Sequence, residues 1–157
     1  MGDVGNVGFF TYGPLGALEQ SVSELTFLFS TVIPGFDIWS TELTAIHFPN
    51  LVSIDPTNVQ GGFLHIRGNP FLTTIELPVF VPTPGMSIDL QQNNLSSAVL
   101  DQVLARCVAN PAFTSGNVLL GNPDHETPPA NQAPSLTGSA DADTLTARGV
   151  NVTLPGV

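Results

Sequence analysis

Apolar and polar residues alternate over short stretches in the middle of the chain. The segments LHI at 64–66 and IDL at 88–90 each place a polar residue between two apolar ones, and Asn69 or Asn93 follows a few positions later. Alternation with a period of two is typical of β-strands, because successive side chains point to opposite faces. We therefore predict two short strands with buried outer residues and an outward middle residue.

A second phrase recurs around these strands. The segments LTAIHFP at 43–49, LVSIDP at 51–56 and LTTIELP at 72–78 share Leu-x-x-Ile with a Pro soon after. Corresponding positions lie 21 residues apart from Leu51 to Leu72, and 24 apart from Leu64 to Ile88. Self-similarity at 20 to 29 residues is typical of leucine-rich-repeat solenoids, in which each unit adds one short strand and buries its neighbour's apolar face.

Residues 43–109 resemble leucine-rich repeats on these phrases. The wording Leu-Thr-x-Ile-x-Leu-Pro is similar to the irregular repeats of receptor L-type domains and of bacterial and phage surface proteins. The resemblance implies an α/β, mainly β fold: a short leucine-rich-repeat-like solenoid with a small parallel sheet and one or two helices. It also implies that Asn69 and Asn93 hold the turns by bonding the backbone of adjacent coils.

Helical spacing appears near both ends of the repeats. Residues 96–110 place six apolar residues on one stripe before an Asn-Pro stop, which predicts a helix. Residues 17–33 have helical spacing at their start, and 117–123 echo the strand phrase at 64–70. At the C-terminus we predict a short turn of helix, a stop at Gly149 and a last strand over 150–154.

The chain is predicted to form one domain with three parts. Residues 1–36 form an irregular N-terminal arm and cap, 37–121 the solenoid, and 122–157 a Pro-rich loop and capping strand. The arm carries aromatic residues that either dock on a partner or fold over the chain's own core; these are Phe9, Phe10 and Tyr12. Trp39 is predicted to cover the hydrophobic end of the stack, and it would mark a binding patch if exposed.

Composition narrows the function. The 157 residues include 13 Asp and Glu but only 3 Arg and no Lys, for a formal net charge of −10. Such a surface repels phosphate backbones and anionic lipids, so neither nucleic acid nor membrane is an expected partner. Charged residues make up 10% of the chain, which suits a surface that packs against copies or neighbours with little desolvation of charge. We expect no classical export signal, because the first 16 residues lack basic residues and an apolar run.

Three polar residues occupy the middle of apolar-x-apolar triplets: His47, His65 and Asp89. If their strands are parallel neighbours, the side chains form one row with a spacing of about 4.8 Å. Such a row suits a divalent metal, a polar group of a binding partner, or a plain solvated face, and the solvated face is the commonest of the three. His125, between Asp124 and Glu126, is interpreted as part of a surface turn.

Catalytic motifs are absent from the sequence. It contains no Gly-x-Ser-x-Gly, P-loop or dinucleotide fingerprint, and its single cysteine, Cys107, falls on the apolar stripe of the predicted helix. We therefore predict a protein that is not an enzyme and that needs neither a metal nor a cofactor. A lone cysteine also excludes an intrachain disulfide.

The resemblance and the composition together indicate a structural or adhesive component of a phage virion, displayed as a capsid decoration or near the tail. Its expected partners are other virion or surface proteins in a multi-copy assembly, and a host-surface protein or glycan. The alternative is a bacterial cell-surface or secreted recognition module that binds protein or glycan. The expected location is the virion surface, or the extracellular space or cell surface for the alternative.

Overall fold

A computed structural model describes most of the chain. The described residues are 10–12, 23–28, 32–33, 35–39, 41–55, 57, 62–121 and 130–156. Within them the fold is mixed α/β, with parallel strands in three sheets and two helices. The predicted class and the parallel pairing are confirmed, although the strands form three sheets where one small sheet was expected.

Eleven strands and two helices follow one another along the described residues. They are β1 (Phe10–Tyr12), β2 (Glu24–Thr26), β3 (Val32–Ile33), β4 (Phe36–Trp39), β5 (Ala45–His47), β6 (Ser53–Ile54), β7 (Phe63–Arg67), β8 (Thr74–Glu76), β9 (Ser87–Asp89), α1 (Ser97–Ala109), β10 (Asn117–Leu119), α2 (Leu136–Ala147) and β11 (Asn151–Thr153). Neither described helix is long and apolar enough to cross a membrane.

The strands enter the three sheets in a repeating order. The six-stranded sheet has the order β1-β4-β7-β9-β10-β11, the three-stranded sheet β2-β5-β8, and the two-stranded sheet β3-β6. The chain therefore passes through the three sheets in the same order with β1 to β3 and again with β4 to β6. Parallel neighbours need such long crossovers, because a parallel pair cannot be joined by a tight hairpin.

Strand register supports one predicted repeat and corrects another. Leu64 lies opposite Ile88, as the 24-residue spacing predicts. The segment at 51–56 is not a copy of the segment at 72–78, because Ile54 lies opposite Ile33 in the two-stranded sheet. Ile75 instead lies opposite Ile46 in the three-stranded sheet. The two segments have similar sequences although their strands belong to different sheets, because both sheets require the same alternation of buried and exposed residues.

The core fills the space between the sheets and α1. Inward side chains of the strands, such as Ile38, Leu64 and Ile66, are completely buried. Near the N-terminal strands, three phenylalanine rings pack with centroids 4.9 to 5.3 Å apart; they are Phe27, Phe36 and Phe48. Edge-to-face and stacked aromatic pairs of this kind add to the stabilisation from buried area.

The two helices pack against each other near the C-terminus. Helix α1 buries Leu100, Val103, Leu104 and Cys107, the stripe that its apolar spacing predicts. Helix α2 is longer than the predicted turn of helix. The prediction was too short because the small and polar residues of α2 form no apolar stripe in the sequence. The Arg148 Nη1 group donates to the carbonyl oxygen of Val108 at 2.9 Å, which ties the end of α2 to the end of α1.

The N-terminal region differs from the prediction where it is described. Glu24–Thr26 is a strand, not helix, because it pairs with β5 and its Leu25 lies opposite Ile46. Val32–Ile33, at the end of the same predicted segment, is also a strand, and the parts over 17–22 and 29–31 lie outside the described residues. Phe10–Tyr12, expected in an irregular arm, is a strand that pairs with β4. Phe9 and the side chains of Phe10 and Tyr12 lie outside the described part of the chain.

Candidate functional site

The outward face of the six-stranded sheet carries a row of ionisable side chains. Asp37 lies opposite His65 on β4 and β7, and His65 lies opposite Asp89 on β7 and β9. Their chain neighbours Phe36, Ile38, Leu64, Ile66 and Ile88 are buried, so strand alternation turns all three toward the outward face. The predicted pairing of His65 with Asp89 is present. Sequence reasoning missed Asp37, although FDI at 36–38 has the same apolar-polar-apolar pattern.

His47 does not belong to this row. It lies on β5 in the three-stranded sheet, where it faces Glu76 across the strand pair. The His47 Nδ1 atom is 2.8 Å from Glu76 Oε2, and 62% of the Glu76 side chain is exposed. The chain turns from one sheet into the next between β4 and β5. The triplet at 46–48 therefore has the same apolar-polar-apolar pattern as the strands of the row but lies in a different sheet.

Arg67 lies two residues beyond His65 on the same face and spans the two carboxylates. Its Nη1 is 3.6 Å from Asp89 Oδ2 and its Nη2 is 3.9 Å from Asp37 Oδ2. Both distances exceed the range of a good hydrogen bond, so these contacts are ion pairs without direct hydrogen bonds. About half of the Arg67 side chain remains exposed.

The two aspartates differ in their hydrogen bonding. Asp89 is buried, and its Oδ1 accepts a hydrogen bond from the backbone N–H of Gln91 at 3.1 Å. The Asp37 Oδ1 atom is buried and has no hydrogen-bond partner in the described part of the chain. A buried oxygen without a partner is uncommon in folded proteins. This oxygen is closed to solvent, whereas the Asp37 side chain as a whole is 19% exposed.

The environment of His65 favours the neutral imidazole. Burial lowers the pKa of His65 below its ordinary value of 6.5, and this effect outweighs the opposing charges of Asp89 and Asp37; Arg67 lowers the pKa further. A neutral ring has one donor and one acceptor nitrogen. Its ring centroid lies 5.0 Å from that of Phe63, the preceding outward residue of β7.

Trp39 borders the row and does not cap the end of the stack. It lies opposite Arg67, on a strand that has β1 on one side and β7 on the other. Because Phe36 and Ile38 point inward, alternation turns Trp39 outward with Asp37, and its side chain is half-buried. The predicted end-capping role is therefore wrong.

A shallow depression of about 330 Å³ opens beside Trp39. Its lining residues are Asp37, Trp39, Arg67, Gly68 and Gln92. Gly68 and Gln92 both have positive φ, of 66° and 56°. This left-handed conformation is uncommon for a residue other than glycine, and here it places the exposed Gln92 at the rim. Sequence reasoning did not find this rim, because turn conformation depends on the neighbouring turn of the chain.

Asn69 and Asn93 lie beneath this surface and are completely buried. Asn93 Oδ1 accepts from the backbone N–H and the side-chain amide of Asn69, at 3.0 and 3.1 Å. Asn69 Oδ1 accepts from the backbone N–H and the hydroxyl of Thr41, at 3.0 and 2.8 Å. The Asn131 amide donates to the carbonyl oxygens of Leu90 and Leu120, an interaction that the sequence pattern did not indicate. These hydrogen bonds hold successive turns of the chain together, and Asn69 and Asn93 therefore contribute to the structure of the turns.

A larger cleft lies elsewhere. It has a volume of about 710 Å³ and lies between α1 and strands β8 and β9, with mostly apolar lining that includes Ile75, Phe80 and Val103. Glu76, one of its few polar lining residues, already contacts His47. We place the candidate site on the sheet face, where charged and aromatic side chains meet.

Metal and thiol chemistry receive no support from the described residues. They contain no group of three or more His, Cys, Asp or Glu that could hold a metal ion. His125 lies outside the described residues. Burial raises the pKa of the Cys107 thiol to about 12, so this thiol stays protonated at neutral pH.

Comparisons of the chain with protein-family models, with curated proteins and with solved structures find no match.

Proposed function

We propose that the chain is a non-enzymatic binding component of a phage virion, in which a short leucine-rich-repeat-like solenoid displays the outward face of its six-stranded sheet to a polar partner. The observation that carries the proposal is the row Asp37, His65 and Asp89, in register on three adjacent strands, with Arg67 bridging the two carboxylates.

The order of the strands supports the solenoid. The chain enters the three sheets in the same order twice, and every pairing among the described strands is parallel. The buried contacts of Asn69 join residues 24 and 28 positions away in the sequence. A repeating crossover of this length stacks each coil on the next. Helix α1 follows β9 where earlier coils have further strands.

The chemistry of the row supports recognition. The half-exposed Arg67 guanidinium, the partly exposed Asp37 carboxylate and the partly buried His65 imidazole offer hydrogen-bond donors and acceptors side by side on a face held rigid by the sheet beneath. The buried Asp89 carboxylate forms an ion pair with Arg67. Solenoid proteins commonly bind partners through such an extended face of strand side chains. The site's function follows from these groups and not from the fold alone.

The composition supports a place in a multi-copy assembly. A chain with 10% charged residues covers its surface mainly with neutral polar groups and backbone, which contact a neighbouring copy with little desolvation of charge. We propose virion or surface proteins as partners, with Phe9, Phe10 and Tyr12 as the docking segment and the virion surface as the location.

Mass spectrometry of virions purified from cells that carry the coding sequence tests this proposal. We expect the chain in the particles at a constant ratio to the major capsid protein across a density gradient. Its absence from the particles would overturn the virion assignment. Recovery in the outer cell-surface or secreted fraction of a bacterium would instead support the alternative, a bacterial recognition module that uses the same face.

A further inference from the structure

We infer that the depression lined by Asp37, Trp39, Arg67, Gly68 and Gln92 binds a neutral sugar residue. This inference deepens the proposed function, since it names the chemical class of the polar partner and the side chains that contact it. The binding itself is a property of the isolated chain and does not depend on the virion assignment.

The depression combines an apolar wall with polar groups on adjoining strands. Trp39 is outward and half-buried on β4, and Arg67 lies directly opposite on β7. A sugar ring has the matching character, with C–H groups on its faces and hydroxyl groups around its edge. An indole face packs against the C–H groups, while Arg67, Asp37 and Gln92 reach the hydroxyls. The volume of about 330 Å³ suits one sugar residue with its first linkage.

The polar groups retain hydrogen-bonding capacity for a ligand. The Asp37 side chain is 19% exposed, and its Oδ2 lies 3.9 Å from Arg67, too far for a hydrogen bond, whereas its Oδ1 is buried from solvent. The Arg67 contact with Asp89, at 3.6 Å, is also too long for a hydrogen bond. Sugar hydroxyls both donate and accept, so they pair with Asp37 and Arg67 together without displacing an existing hydrogen bond. Bonds to charged partners are stronger than those between neutral groups.

The charges favour a neutral ligand over a charged one. The carboxylates of Asp37 and Asp89 and the net charge of −10 repel an anion. A cation meets the Arg67 guanidinium, which already lies between the two carboxylates, and His65 adds no charge at neutral pH because burial holds its pKa low. A hydroxyl-rich neutral ligand avoids both repulsions.

Titration of intrinsic fluorescence tests this inference, because Trp39 is the single tryptophan of the chain. The probes are glucose, galactose, mannose and N-acetylglucosamine, with glucuronate and glucosamine as charged analogues of similar size. We expect a saturable fluorescence change with at least one neutral sugar. Glucuronate and glucosamine should each bind at least about tenfold more weakly, a difference in binding free energy of about 1.4 kcal/mol. No saturable response to any neutral sugar, or equal binding of a charged analogue, would overturn the inference.

Variants locate the binding in the depression. Arg67→Met keeps the hydrocarbon stem but removes the N–H donors, and Asp37→Asn removes the carboxylate charge; each is expected to weaken binding by about tenfold. The matched control is Glu76→Gln, an exposed carboxylate on the other sheet, which should bind the sugar as the unchanged chain does. If Asp37→Asn fails to fold, the half-exposed Arg67 keeps the test decisive.

Two results separate the site from the wider proposal. Sugar binding by a chain that is absent from virions would leave the site intact and overturn only the virion assignment. If the chain is present in virions but its fluorescence does not respond to any neutral sugar, the sugar site would be overturned and the virion assignment would stand. Equal loss of binding in Glu76→Gln and Arg67→Met would place the ligand elsewhere and overturn the site.

Discussion

The buried amide of Asn93 offers the sharpest test of how successive turns are held together. Its oxygen accepts two hydrogen bonds from Asn69, and its nitrogen donates to the carbonyl oxygens of Ile66 and Leu90 at 2.6 and 2.8 Å. The side chain is completely buried, so water cannot replace any of these bonds. Replacing Asn93 by Ala removes all four at once.

The expected cost follows from the groups that lose their partners. Leu90 keeps a second donor, the amide of Asn131 at 2.6 Å, and the Asn69 amide keeps the carbonyl oxygen of Arg67 at 3.0 Å. The backbone N–H of Asn69 keeps none in the described part of the chain, since Asn93 Oδ1 is its acceptor. An orphaned buried donor costs about 1 to 3 kcal/mol, and the other lost bonds together add about 1 kcal/mol. We expect Asn93→Ala to lower the free energy of unfolding by about 2 to 4 kcal/mol.

Urea denaturation followed by circular dichroism measures this loss. With a slope of about 2 kcal/mol per molar urea, the midpoint should fall by about 1 to 2 M while the slope stays the same. The neighbouring Asn94 is a matched control, because it is the same residue type and its side chain is exposed. Its contact with Leu72 uses the backbone N–H, which Asn94→Ala keeps, so the expected change is within about 0.5 kcal/mol.

A double-mutant cycle measures the interaction between Asn69 and Asn93 directly. Asn69 and Asn93 share two hydrogen bonds, so the loss in the double Ala variant should be smaller than the sum of the single losses by about 0.5 to 3 kcal/mol. Equal midpoints for Asn93→Ala and Asn94→Ala, or fully additive losses in the cycle, would show that these buried amides do not hold the turns as argued.

Three further outcomes are expected. Gly116→Ala should lower the free energy of unfolding by at least about 2 kcal/mol, because φ is +121° and the added Cβ would clash with the carbonyl oxygen of Met86. Gly85→Ala should lower it by about 1 kcal/mol in the same denaturation assay, because φ is +83° but the space around Gly85 is open. Because burial holds the pKa of His65 below its unfolded value, protonation favours the unfolded chain, so stability should fall from about pH 7 to about pH 5 and fall less in His65→Gln; parallel slopes would contradict this. Cys107 should react with Ellman's reagent only after unfolding, since burial raises its pKa to about 12; rapid reaction of the folded chain would contradict its buried place.

Local patterns predicted the elements that carry the site. Alternation at 64–66 and 88–90 predicted β7 and β9, and the 24-residue spacing predicted that Leu64 and Ile88 pair. These signals succeed because a half-buried strand requires alternating side chains whatever its neighbours are. The stripe of α1 was readable for the same reason, since a helix packed on one side needs its apolar residues at helical spacing.

The same local rules misplaced His47 and Trp39. His47 and His65 occupy identical positions in their triplets, yet one faces Glu76 on the three-stranded sheet and the other faces Asp89 on the six-stranded sheet. Trp39 was expected at the end of the stack but lies inside the sheet, because β1 pairs beyond it. Alternation reports which face of a strand a residue occupies and carries no information on which sheet that strand joins.

The sequence by itself determined the mixed α/β class, the short strands, α1, the outward positions of His65 and Asp89, and the buried place of Cys107. Only the tertiary structure decided that Asp37 completes the row, that Arg67 spans both carboxylates, and that Trp39 and Gln92 border one depression. The physical reason is that strand alternation is a local requirement, whereas lateral neighbours depend on the lengths of the crossovers, which differ from one parallel pair to the next. Thr41 and Asn69, 28 positions apart, meet across adjacent turns, and no repeat in the sequence indicated that separation.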